Sequence, residues 1–340
     1  MGNERHDRWS RRQFLNAAAL AGTGAVLGLR SGSIAAEPPP ETTRIRLPQS
    51  PAICIAPLYL ADELLRAEGF TEVEYVQFKS GNLFTQAVAA GQVDLALNFV
   101  GPLVMSIDER APVVILAGVH AGCFELFGSE RVRAIRDLKG KTVAIPGKGE
   151  PQHVFLASIL SYVGIDPRAD ISWVTHPFAE STRLLSEGKI DAYLGIAPEP
   201  QELRARKIGR LMVDSAVDGP WSQYFCCMAY ANRDFVRRHP AATKRALRAI
   251  LKAADLCATA PAVAAQTVVT KGYTREYDYA FELIKKLPYN LWRTQDHEDS
   301  LRFYALRLHE AGMIKSSPQK IIGQGTDWRF LKELKQELKS

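Results

Sequence analysis

The side chains in this sequence best equipped for chemistry are its seven histidines and five cysteines. Three histidines stand at the edges of apolar or periodic segments. His120 ends an aliphatic run, His153 opens a helix-like run, and His176 follows a strand-like one. Converging imidazoles of this kind suit a transition-metal chelate. No carboxylate or cysteine stands at a fixed spacing to complete the set, so separate, hydrogen-bonded histidines are the simpler reading. The cysteines are Cys54, Cys123, Cys226, Cys227 and Cys257. An odd count without a Cys-x-x-Cys pair or a Cys/His ligand spacing argues against a disulfide framework or a zinc ribbon. Reduced, buried thiols are expected, with the adjacent Cys226 and Cys227 the pair most open to another role. Gly147-Lys148-Gly149 offers part of a phosphate-binding loop but lacks the third glycine and the Lys-Ser/Thr pair. Neither His-Glu-x-x-His nor Gly-x-Ser-x-Gly occurs. The residues therefore predict no catalytic group, no resident metal and no cofactor.

Charge points away from nucleic acid. The chain has 340 residues, 43 basic and 37 acidic, for a net charge of +6. Residues 1–36 hold five arginines against Glu4 and Asp7, so half of the excess lies there. The remaining 38 basic and 35 acidic residues are spread along the chain, without a basic run interleaved with aromatics. The first 36 residues read as an export signal. Ser10-Arg11-Arg12-Gln13-Phe14-Leu15 matches the twin-arginine pattern, followed by the mildly apolar Ala17–Leu29 and the small residues Ser33-Ile34-Ala35-Ala36. Thirteen residues with three glycines are too few to span a membrane, which takes about 20. The expected location is the periplasm, reached by the twin-arginine pathway.

The elements that would position a site emerge from periodicity. Arg44–Leu47 and Val73–Phe78 read as strands, Pro57–Gly69 and Asn82–Ala90 as helices, and Val93–Leu97 as a third strand. The pattern then recurs: strands at Thr142–Ile145, Ile171–Thr175 and Ile190–Leu194, helices at Pro151–Val163 and Ser181–Glu187. Ala87-Val88-Ala89-Ala90-Gly91-Gln92-Val93-Asp94 matches Leu184-Leu185-Ser186-Glu187-Gly188-Lys189-Ile190-Asp191 at an offset of 97. Helix, glycine, polar residue, branched aliphatic, Asp: both copies spell one helix-to-strand turn. Two β-α-β-α-β units imply an α/β protein of two similar lobes, each a mostly parallel sheet flanked by helices. Val113–Gly122 leads into Cys123 as a first crossing, and Gln223–Tyr230 carries the chain back. The expected division is 1–36 as signal, 37–123 with 228–340 as the first lobe, and 124–227 as the second. Helices from Arg233 onward are expected to brace the first lobe. Ligands of such sheets bind beyond the carboxyl ends of the strands. Trp221 and Tyr224, near the return crossing, offer rings that could stack on a planar solute.

Several stretches together carry a family likeness: Ala56-Pro57-Leu58-Tyr59-Leu60-Ala61, Ala90-Gly91-Gln92-Val93-Asp94, Gly101-Pro102, Leu138-Lys139-Gly140-Lys141-Thr142-Val143-Ala144, and Glu187-Gly188-Lys189-Ile190-Asp191-Ala192. The chain resembles a type II periplasmic solute-binding protein of an ABC importer. The group is that of nitrate, sulfonate and taurine binders, related to thiamine-pyrimidine precursor binders. The resemblance implies two lobes hinged by two crossings, closing on a small polar organic solute and docking on an inner-membrane permease. A monomer without cofactor or enzymatic activity is expected. The family's ligand loops map to Gln49, Ser50 and Cys54; to Ser80, Gly81 and Asn82; and to Asn98 and Gly101 in the first lobe. In the second lobe they map to Gly149, Gln152 and His153, to the segment from His176 to Ser181, and to Glu199. Lys79, Lys148, His153 and His176 would favour an anion, whereas Glu150 and Glu199 would favour an amine or aminopyrimidine. The same fold also serves an enzyme that builds the thiamine pyrimidine from a sacrificed histidine and uses a cysteine-rich iron-binding segment. Cys226-Cys227 falls short of such a segment, and an export signal would separate this chain from cytosolic substrates. A periplasmic domain that signals through a kinase is a third possibility.

Overall fold

A computed structural model describes residues 37–78 and 81–339. The leader with its paired arginines, Lys79 and Ser80 lie outside the described residues.

The first lobe begins with β1 (Arg44–Gln49), α1 (Ala56–Ala67), β2 (Glu72–Gln77), α2 (Gly81–Ala89), β3 (Leu95–Phe99), α3 (Val100–Asp108) and β4 (Val113–Ala121). The second lobe follows: β5 (Phe124–Gly128), β6 (Thr142–Ile145), α4 (Pro151–Tyr162), β7 (Ser172–Thr175), α5 (Phe178–Ser186), β8 (Ala192–Ile196), α6 (Glu199–Ala205) and β9 (Arg210–Asp214). Strand β10 (Phe225–Asn232) returns to the first lobe. Then come α7 (Arg233–Arg238), α8 (Pro240–Thr259), α9 (Pro261–Thr270), α10 (Tyr277–Lys286), α11 (His297–Glu310), α12 (Pro318–Gly325) and α13 (Arg329–Glu337).

The second sheet has the order β7-β6-β8-β5-β9, with only β5 running against its neighbours. In the first lobe β1 pairs parallel with β2, and β10 lies antiparallel between β3 and β4. Asp94 donates its backbone N–H to the Arg46 carbonyl at 2.9 Å, which sets β1 beside the start of β3. The two lobes thus repeat one plan, and in each the reversed strand is the one that has just crossed from the other lobe.

The repeated Asp residues explain why this plan appears twice. Asp94 accepts from the backbone N–H of Arg46 at 2.8 Å, and Asp191 accepts from that of Thr142 at 3.0 Å. Each also returns its own N–H to the same residue's carbonyl. The carboxylate therefore fixes the early part of β1 in one lobe and of β6 in the other, and satisfies a backbone donor that pairing leaves open. It also delays the third strand. Both copies begin two residues later than their sequence pattern predicts, at Leu95 and Ala192 rather than Val93 and Ile190. Helix α5 begins three residues earlier than Ser181, directly after Pro177.

The return strand starts at Phe225, opposite Ala121 of β4, three residues before the boundary expected at 228. The C-terminal helices also reach further than the first lobe. Helix α8 packs on α1, and its buried face includes Ala242, Ala246, Ala249 and Ala253, a row of small side chains at helical spacing. The Glu41 carboxylate caps its first turn by accepting from Ala241 and Ala242, both at 2.9 Å. Helix α11, by contrast, packs against α4 of the second lobe. Among the described residues no helix is long and apolar enough to cross a membrane.

Candidate functional site

The carboxyl ends of the parallel strands open into the loops where a ligand is expected. After β1, Tyr59 holds the chain in place: its hydroxyl donates to the Ser50 carbonyl at 2.6 Å. The Ser50 hydroxyl accepts from the Ala52 N–H at 3.4 Å, closing a local turn. Cys54 follows, buried, with its carbonyl accepting from the Tyr289 hydroxyl at 2.8 Å. Gly81 and Asn82 form the first turn of α2. At the end of β3, the Asn98 amide donates to the Thr85 hydroxyl at 3.1 Å, tying β3 to α2. Gly101, in the first turn of α3, lies so close to the second lobe that a Cβ there would stand 2.6 Å from Val154.

In the second lobe, Gly149 has φ +81°, which favours glycine, and donates its N–H to His153 Nδ1 at 3.1 Å. The His153 ring meets the Trp173 ring at 4.8 Å, edge to face. Burial, followed by the neighbouring Lys148 charge, pushes His153 down to about 4, so it is a neutral acceptor at physiological pH. Gln152 sits buried beside it. His176 follows β7, with its backbone N–H donating to the Ile145 carbonyl at 3.1 Å.

Glu199 opens α6 at the end of β8. Burial raises its carboxyl to about 7, the Glu202 charge adds to that, and hydrogen bonds from Tyr193 and Ile196 partly offset it. The Tyr193 hydroxyl donates to Oε2 at 2.7 Å and the Ile196 N–H to the same oxygen at 3.3 Å. This carboxyl changes protonation near neutral pH, so it can accept from an ammonium or share a proton with an anion.

Between the lobes lies an aromatic seam that sequence periodicity did not single out. Phe99, at the end of β3, meets Phe124, Phe155 and Tyr304 at 5.1, 5.5 and 5.2 Å, each edge to face. Phe124 and Phe155 stack at 4.6 Å. Such pairs add about 0.5–1.5 kcal/mol each beyond the area they bury. Trp221, 2% exposed, packs among Phe155, Tyr162 and Phe303, and Tyr224 stacks on Phe303 at 3.9 Å. Both rings are engaged with protein in this conformation. Charge joins the lobes as well. Lys286 of α10 pairs with buried Glu125 of β5 at 2.9 Å and with Asp214 of β9, while Arg204 pairs with Glu125 and with Glu282 of α10. A recess of about 290 Å³ lined by Arg44, Arg46, Asp94, Arg238 and His239 lies at the opposite, amino end of β1.

The hinge is built where the two crossings touch. Gly122 has φ +78°, and a Cβ there would stand 2.6 Å from the Ala216 Cα of the returning segment. Only glycine meets both demands. The next residue, Cys123, is itself at φ +104°. All five cysteines are free thiols and buried. Four of them converge with His120 beneath the hinge: Cys54, His120 and Cys227 form one cluster, and Cys123, Cys226 and Cys227 another. Hydrogen bonds from Cys123, Cys226 and Cys54 hold the Cys227 thiol below the usual range, while burial lifts Cys123 and Cys226 well above it. Among the described residues, His153 and His176 take no part in these clusters.

The sequence pattern of the NMT1-like family matches residues 38–270. The chain belongs to that family. It is 26% identical over 186 residues to the taurine-binding periplasmic protein of Escherichia coli, a match covering 54% of this chain and 57% of the relative. The chain thus spans a little over half the length of that curated relative. Among solved structures, the nitrate-binding protein NrtA of Synechocystis superposes with a TM-score of 0.70 at 17% identity, covering 88% of this chain and 90% of that one. The alkanesulfonate-binding protein SsuA of Xanthomonas axonopodis, bound to MOPS, superposes at 0.65 with 19% identity, covering 83% and 96%. These likenesses establish the periplasmic-binding-protein fold, as the two lobes of one strand plan lead one to expect.

Proposed function

We propose that this chain is the solute-capturing component of an ABC importer. It works in the periplasm, holds a small polar organic solute between its lobes, delivers it to an inner-membrane permease, and performs no reaction on it. The observation that carries this reading is one strand plan repeated in two lobes that are joined by two touching crossings at Gly122 and Ala216. That architecture lets two lobes rotate about a short hinge and brings the carboxyl ends of both sheets to one solute. Family membership and the taurine-binding relative support it.

The solute best suited to the site carries both charges, as an aminosulfonate does. Glu199 would receive the ammonium, and binding would draw its carboxyl to the ionised form. The backbone N–H groups at the start of α4, beside Lys148, suit the anionic end. Calorimetry and thermal shift with taurine, alkanesulfonates, nitrate and aminopyrimidines test the assignment. Binding of an aminosulfonate above the others is expected; absence of binding by every class defeats the reading. Export is tested separately. Changing Arg11 and Arg12 to lysine is expected to leave the precursor in the cytoplasm, and unchanged periplasmic recovery would remove the twin-arginine assignment.

A further inference from the structure

The densest group of reactive side chains in the described molecule lies under the hinge, and only Cys54 among them stands on an expected ligand loop. Cys54 comes from the loop after β1, His120 from the end of β4 and Cys227 from the start of β10. Their donor atoms lie within 4.8 Å of one another, and all three residues are buried. Cys123, Cys226 and Cys227 form a second triad within the same limit, with the Cys123 and Cys226 sulfurs 3.2 Å apart. Cys227 is the vertex the two triads share.

His120 supplies an independent indication. It is 0% exposed, and its Nδ1 stands 3.1 Å from the Ala121 carbonyl. That carbonyl can only accept, so Nδ1 carries the proton and Nε2 is left with a bare lone pair. Nε2 is buried without a hydrogen-bond partner. An unmatched buried acceptor is costly. A metal-bound imidazole has this arrangement, with one nitrogen on the ion and the other donating to a backbone carbonyl.

We propose that Cys54, His120 and Cys227 form a three-coordinate site for a soft monovalent cation, cuprous copper, with Cys123 and Cys226 as adjoining thiol donors. Sulfur and imidazole donors select soft ions. Structural zinc sites complete four ligands, whereas each triad here offers three and burial withholds a water to serve as the fourth. Binding involves no oxidation: two Cu–S bonds and one Cu–N bond form, and the Cys54 and Cys227 thiol protons leave to solvent. Such an ion would fasten the first ligand loop to both crossings, and this assignment does not depend on which solute is carried.

The experiment offers cuprous ion to the reduced chain under anaerobic conditions, in competition with a chromophoric cuprous chelator. The wild type is expected to retain copper at or above an equimolar amount. Cys227→Ser, which removes the shared vertex, is expected to lose it. Cys257→Ser, a buried thiol outside both triads, should retain it as the wild type does. Because Cys227→Ser could misfold, X-ray absorption of the copper-loaded wild type gives a second readout, with sulfur neighbours and one imidazole nitrogen expected. The proposal is overturned by folded, reduced wild type that holds no copper, by equal retention in Cys227→Ser, by a shell without sulfur, or by retention of iron in preference to copper.

Discussion

Replacing Glu199 with Gln tests whether its carboxyl is held partly protonated by burial. The folded protein keeps this group at about 7, against the ordinary value of 4.5. Between those values the folded state binds more protons than the unfolded chain, so stability falls as pH rises through the window and is flat above it. At about 1.36 kcal/mol per unit, the full shift corresponds to about 3.4 kcal/mol. Glu199 retains some exposure, so solvent screening reduces this to about 1.5–2 kcal/mol. Glutamine keeps an acceptor for the Tyr193 hydroxyl and the Ile196 N–H but carries no charge to desolvate. Glu199→Gln is therefore expected to match the wild type near pH 4.5 and to exceed it above pH 7, by about 1.5–2 kcal/mol, a few degrees in Tm. Urea unfolding at a series of pH values reads the difference directly. A variant less stable than the wild type at high pH, or a difference that does not change with pH, refutes the argument.

Lys286→Met would leave Asp214 without its cation and Glu125 with Arg204 alone, both carboxylates buried. A loss of about 3–5 kcal/mol in urea unfolding is expected, and a neutral result would show that the interlobe pairs carry no net stability. Gly122→Ala puts a methyl on a positive φ and against the Ala216 backbone. It is expected to cost about 2 kcal/mol or more and to weaken solute binding; unchanged affinity by calorimetry would separate this contact from closure. Phe155→Ala empties the centre of the interlobe seam, and an unfolding cost of about 3–5 kcal/mol is expected. A cost below about 1 kcal/mol would mean that the lobes do not rely on that packing.

Much of the fold was legible because its determinants are local. A helix that ends on Gly91 or Gly188 and resumes as an aliphatic strand can be read from a short window, and its repetition identifies two lobes. The two-residue delay of β3 and β8 was not legible in that way. Val93 and Ile190 have strand-like side chains, but the Asp residues that follow them are spent on the backbone of a strand about fifty residues earlier. The interlobe seam was hidden for a related reason. Phe99 lies beyond the strand read at Val93–Leu97 and Phe155 within a helix-like run, and no local window brings the two rings together. The cysteines are the extreme case, since Cys54, Cys123 and Cys226 belong to three segments with no fixed spacing, and only the crossing geometry joins them.

The duplication also separates what holds the fold from what carries chemistry. Asp94 and Asp191 are the same residue in both copies because they do the same work, bracketing β1 in one lobe and β6 in the other. The residues with chemical potential break the repeat. Glu199 begins the helix after β8, and the residue that begins the matching helix after β3 is Val100. Cys54 lies two residues before α1, and the residue two before α4 is Gly149. A solute held between two such lobes meets unlike groups on its two sides, so one end can be distinguished from the other. Two lobes that matched at these positions as well would offer the same groups twice and could not orient a molecule whose ends differ in charge. The asymmetry of the strand-end residues, more than any one of them, is what would let the proposed site orient a solute with two different ends.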